Sequence, residues 1–354
     1  MRKLPLAALS FLLSLPNLLA AQQPAASPDQ PFLLLSSNET TKLQVRLTDA
    51  AKSGYRVIAL LNGIDVGNLI LLEKPPQPEP VEYLLLGISR IPTTQKELNQ
   101  GAAQGFRLLP ETLAVTSELV GIMEKRPGAE PRYEYLVIDT MRSRTLEKEI
   151  QQRTDQGWQL CWLYRPAMQQ IAIFERPAGS PAPAGKLPEI KDADMRFRFL
   201  SPKSFATFHD ELAAAAGQGH RVVMAPRQAN SANVLIEKLA GAANRAEYRV
   251  IKPKDAKELE DSLSKAGADG FRWRWPVLFY VNQYGYDAQI FLFAEKGPGP
   301  QDRCAYQLLS WTAGAAITAE LSEKLSQALA GGFKARDGVV WGGDRFLFLE
   351  KCGP

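Results

Sequence analysis

The chain has 354 residues, 45% hydrophobic and 23% charged, with a formal net charge of +4 and an isoelectric point near 8.8. The length exceeds one ordinary core, so two or more domains are expected, and the composition is that of a globular protein. The basic excess is mild and no Lys/Arg run occurs, which argues against a nucleic-acid or acidic-membrane partner.

In chain order, Met1 to Ala21 has the parts of a secretory signal. Arg2-Lys3 is the charged start, Leu6 to Leu15 the apolar middle and Ala20-Ala21 the small-residue end, with Leu19 an imperfect match before the cut. An uncleaved anchor is the alternative, but the apolar run is short for a span and Pro16 interrupts it. No cysteine follows it, which argues against lipid anchoring. Removal lowers the formal charge to about +2. Residues 22–30 read as a flexible lead-in, and the expected location is periplasmic or secreted.

From residue 31 the chain repeats one unit six times, most clearly at Tyr133 to Pro177. First strands are expected to begin near Phe32, Glu82, Tyr133, Arg196, Tyr248 and Ala305. Each is followed by a helix ending in Gly54, Gly105, Gly157, Gly219, Gly270 or Gly332, the residue a left-handed cap needs. Seven residues before the glycine stands Leu47, Leu98, Ile150, Leu212, Leu263 or Leu325. Eleven before stands Leu43, Leu146, Phe208, Leu259 or Leu321, with Thr94 the exception. Both offsets fall on one helix face, which is expected to lie on a sheet. After the glycine comes a ring: Tyr55, Phe106, Trp158, His220, Phe271 or Phe333.

The third strand closes with an acid and a base, from Glu73-Lys74 to Glu350-Lys351. A base or polar residue stands two after each glycine: Arg56, Arg107, Gln159, Arg221, Arg272, Lys334. Cross-strand pairs such as Arg56 with Glu73 and Arg221 with Glu237 are therefore expected, each worth up to about 1 kcal/mol. With a pair in every unit, the structural role is preferred to a catalytic one.

The predicted fold class is α+β: six tandem strand–helix–strand–strand repeats, each an antiparallel three-stranded sheet covered by one helix. The third strand lies between the first and second. That order sets Cys304 beside Cys352, so a disulfide is expected. Cys161 reads as a buried thiol. The proline-rich stretch 178–192 is a linker dividing two halves, 31–177 and 193–354. Their repeats lie near 31–75, 82–127, 133–177, 195–239, 247–297 and 304–352. One helix on three strands leaves edges open, so the units are expected to pair or stack.

Tyr133, Tyr135, Val137, Leu146, Ile150, Gly157, Trp158, Leu160, Phe174 and Arg176 form a pattern. It resembles a family of small bacterial domains of unknown function with a Gly-Trp-x-Leu motif. The resemblance implies a strand–helix–strand–strand fold and a bacterial source, and brings no catalytic residue or ligand.

Reactive groupings are few. His220 takes a ring position, and His209, Asp210 and Glu211 diverge around a helix, so no metal site is expected. No phosphate loop, nucleophile elbow or Ser/His/acid set is identified, and no cofactor is expected. The sequon at Asn38 matters only in a glycosylating host. The most suggestive stretch runs from Phe271 to Asp287. Trp273 and Trp275 read as core. Arg272, Arg274, Tyr284 and Tyr286 are the candidate ligand surface. The expected function is non-enzymatic: macromolecular binding or an envelope scaffold, with a protein or envelope component as partner. The alternatives are an enzyme, possibly a hydrolase, with a site between repeats, and a small-ligand or glycan binder using the long hairpin of repeat five.

Overall fold

The structure is a computed structural model. It describes residues 31–37, 39–62, 68–88, 90–115, 119–128, 132–164, 170–180, 189–200, 205–225, 234–239, 246–281, 288–297, 302–312, 319–341 and 344–353. The expected signal, the lead-in, Asn38 and most of the 178–192 linker lie outside them.

The described residues form six modules of one plan. The first is β1 (Phe32–Ser37), α1 (Thr40–Lys52), β2 (Arg56–Asn62) and β3 (Asn68–Glu73). The second is β4 (Glu82–Ile88), α2 (Thr94–Ala103), β5 (Arg107–Val115) and β6 (Leu119–Lys125). The third is β7 (Tyr133–Thr140), α3 (Ser143–Asp155), β8 (Gln159–Tyr164) and β9 (Gln170–Pro177). The fourth is β10 (Phe197–Leu200), α4 (Phe205–Gly217), β11 (His220–Met224) and β12 (Val234–Lys238). The fifth is β13 (Glu247–Ile251), α5 (Ala256–Ala268), β14 (Arg272–Val281) and β15 (Ala288–Lys296). The sixth is β16 (Arg303–Thr312), α6 (Ala319–Ala330), β17 (Lys334–Trp341) and β18 (Asp344–Gly353).

Local sequence explains the plan. All six helix-ending glycines have φ between 81° and 89°, where a side chain would clash. They turn each chain from helix into its second strand. The two apolar helix positions are buried in every module, from Leu43 and Leu47 to Leu321 and Leu325. Thr94 is buried as well.

In every module the third strand pairs antiparallel with both others. The register sets the residue two after each glycine directly opposite the closing glutamate, as in Arg56 with Glu73 and Arg272 with Glu295. Cys304 is register partner to Cys352, and the two form the expected disulfide. Each second strand carries a bulge soon after its start. In modules two and five the bulge is enlarged and contains Pro110 or Pro276, residues that cannot donate to a ladder.

The apolar cores lie at the module boundaries. Leu43, Leu47 and Ile70 of module one pack with Tyr83, Leu85 and Ile122 of module two. The same arrangement recurs at each following boundary. The last cluster joins module six to module one, with Leu321, Leu325 and Leu349 against Phe32, Leu34 and Leu71. Strands β17 and β2 also pair there in parallel, fusing two three-stranded sheets into one of six strands. The six modules of residues 31–354 thus form a closed cycle of contacts.

In modules one to three, helix side chains ten or six residues before the glycine cover the open edge of the next first strand. Gln44 donates to Tyr83 O at 3.0 Å and accepts from Leu85 N at 2.6 Å. Asn99 makes both bonds to the backbone of Tyr135 at 2.9 Å, and Gln95 accepts from Val137 N. Gln151 and Glu147 accept from Arg196 N and Phe199 N. A bare edge would leave these groups without partners.

Candidate functional site

Most recurring polar residues hold modules together. In the first strand of modules two, three, five and six a tyrosine stands opposite the closing glutamate. Its hydroxyl accepts a backbone N–H from the preceding module: Val57 to Tyr83 at 2.9 Å, Leu108 to Tyr135 at 2.7 Å, Val222 to Tyr248 and Trp273 to Tyr306 at 2.8 Å. The same hydroxyl donates to the glutamate of its own module, Glu124, Glu175, Glu295 or Glu350. Burial, the largest influence, pushes all four hydroxyls above their ordinary pKa, so they stay protonated donors. In modules one and four phenylalanine takes this place, as Phe32 and Phe197.

Three of these glutamates also receive an arginine of the preceding module. Arg107 reaches Glu175 at 2.7 Å, Arg221 reaches Glu295 at 2.6 Å and Arg272 reaches Glu350 at 3.0 Å. This corrects the expectation for Arg221. It stands opposite Glu237 in the register, yet its ion pair is with Glu295. Glu295 is buried, with its side chain 4% exposed, and needs a charge partner more than Glu237, which Arg196 holds. Arg56 does pair with Glu73 of its own module. The base after four of the closing glutamates also meets a ring. Lys74, Lys125, Arg176 and Lys296 lie over the rings of Tyr55, Phe106, Trp158 and Phe271.

The second strands of modules four, five and six bound a cavity of about 340 Å³, lined by Val222, Met224, Arg272, Arg274, Arg336 and Glu350. Arg272 and Arg274, expected at a ligand surface, are thus brought together. Arg274 bonds Glu295 at 3.1 Å, and Arg336 bonds Glu350. Burial works to raise the Glu350 pKa, but the hydrogen bond from Arg272 and the charge of Arg336 outweigh it and hold the carboxyl below its usual range. Trp273 is buried against Phe348, lines the cavity, and has an indole N–H with no acceptor among the described residues. Tyr284 and Tyr286 lie outside the described residues, as does the side chain of Trp275.

Arg336 escaped the sequence reading. Four residues after the glycine the modules carry Ile58, Leu109, Cys161, Val223, Arg274 and Arg336. Two adjacent arginines at an otherwise apolar position are the signal that points to it.

The remaining candidates are structural. His220 is buried by its helix, Nδ1 3.2 Å from Ala215 O, and burial lowers its pKa. The Cys161 thiol donates to Ile173 O, and burial raises its pKa. Among the described residues Cys304, Glu350 and Cys352 form the group closest to a metal-ligand set, but the disulfide consumes both sulfurs. No described helix is long and apolar enough to cross a membrane. No family model, curated protein or solved structure matches the chain.

Proposed function

We propose that the chain is a secreted or periplasmic, non-enzymatic repeat protein that binds another macromolecule or supports an envelope assembly. We further propose that its module is kin to the small bacterial domains whose Gly-Trp-x-Leu motif it resembles. One observation carries the binding reading. Three of the recurring arginines are engaged between modules, while two arginines that leave the repeat line one cavity. Residues that break a repeat without serving its cohesion are the natural place for a function. The carboxylate lining that cavity, Glu350, is held by two guanidiniums and a tyrosine, an arrangement suited to a fixed binding surface. Among the alternatives, small-ligand or glycan binding by module five is favoured by the placement of Arg272 and Arg274 on the cavity.

The test is a pull-down of the mature protein from its own host's envelope fraction, competed with excess free protein. Stoichiometric retention of one envelope component, displaced by the competitor, is expected. No displaceable partner at any salt concentration, or chemical conversion of the retained component, contradicts the reading.

A further inference from the structure

The cavity between β11, β14 and β17 holds more positive charge than module cohesion requires. One arginine suffices for a buried glutamate at the boundary of modules two and three, where Glu175 has Arg107. Glu350, in the cavity lining, has both Arg272 and Arg336, and Glu295, which holds the lining residue Arg274, also has Arg221. Two carboxylates therefore face four guanidiniums, with Asp302 a further acid whose charge reaches Arg272. Arg221 and Arg272 bridge modules as Arg107 does. Arg274 and Arg336 stand where four other modules carry Ile58, Leu109, Cys161 and Val223.

The donors outnumber the acceptors. Glu350 accepts from two nitrogens of Arg272, from Arg336 and from Tyr306. A guanidinium has five N–H donors in a planar fork, so several remain beyond those the carboxylates take. The side chains of Arg272, Arg274 and Arg336 are 51%, 38% and 39% exposed and accessible from the cavity. Glu350 also lines it, and the rest of its wall is apolar, from Val222, Met224 and Phe293. The volume suits one small molecule or one end group of a larger partner.

We infer that this cavity binds an organic anion of about two negative charges, a phosphate monoester or a dicarboxylate. The oxyanion sits against Arg274 and Arg336, and the apolar body lies on Val222 and Met224. This rests on the reading of the protein as a binder and names the chemistry of its site.

Isothermal titration of the whole disulfide-bonded protein at low salt tests it, with phenyl phosphate, phthalate and neutral benzamide as probes. Saturable binding of at least one dianion is expected, with none for benzamide. Preference between the dianions tells phosphate from carboxylate. Arg274→Leu and Arg336→Val, which install residues other modules use, each weaken binding at least tenfold. Arg274→Lys keeps part of it. Because Arg221 and Arg272 still hold the two glutamates, the variants keep the wild-type circular dichroism. Failure of both dianions to bind, or full binding by the folded double variant, overturns the inference. If the double variant still captures the envelope partner undiminished, the anion site alone is lost and the binder reading survives.

Discussion

A tyrosine hydroxyl in the first strand joins two groups from two modules. It receives an amide from the preceding second strand and passes a hydrogen bond to its own buried glutamate. Replacing Tyr135 with Phe leaves the Leu108 amide and Glu175 short of a partner, with no change of shape. A loss of about 1–3 kcal/mol in urea unfolding is expected. The converse applies at the third boundary, where Phe197 stands opposite Glu237 and the Leu160 amide occupies the matching place. Phe197→Tyr is expected to stabilise by about 1 kcal/mol. No change in either variant would mean that the hydroxyl contributes nothing to cohesion. The glutamates and arginines of this arrangement were legible in the sequence as a recurring pair. Their partners were not, because the repeat pattern places Arg221 opposite Glu237 while packing brings buried Glu295 within reach from the next module. Arg336 was hidden for a different reason: its meaning comes from comparison across modules at one position, not from its immediate neighbours.

At the scale of elements, helix and hairpin followed from local signals. The glycine cap, the apolar pair seven and eleven residues before it, and the strand order all depend on residues within one unit. In modules one to three, polar residues ten or six before the glycine clamp the next strand edge, a role that depends on a neighbouring unit. Helix α5 shows how closely elements approach. A Cβ on Gly267 would lie 1.9 Å from the carbonyl oxygen of Cys304 in β16. Gly267→Ala therefore has to push α5 and β16 apart, and a loss of about 1–3 kcal/mol is expected from overpacking. Thermal unfolding of the variant checks this, and an unchanged or raised midpoint would show that the boundary yields freely. Alanine occurs at the equivalent Ala51, Ala102 and Ala216, so the constraint belongs to this boundary and not to the helix plan.

In the whole molecule the two halves repeat each other. Modules one and four have phenylalanine in place of the tyrosine, and modules two and five have the enlarged proline-containing bulge. The tyrosine relay therefore joins modules one to three and four to six. The boundaries between the halves lack the relay: the third adds the Gln151 and Glu147 clamps and the Arg196–Asp155 ion pair to its apolar core, and the closing one adds the pairing of β17 with β2. The linker at 178–192 marked the halves in the sequence, whereas the closure did not show there. Contacts between the first and last modules leave no local signature. Residues 31–354 close on themselves, with each core shared by two modules. A circular permutant tests this directly. Its ends are opened within the linker, and Gly353 is joined to Pro31 through a copy of the Arg126–Arg132 connection. The expected product is a monomer that unfolds cooperatively within a few degrees of the parent. An unfolded or aggregated permutant, made under conditions where the parent folds, would contradict the closed cycle.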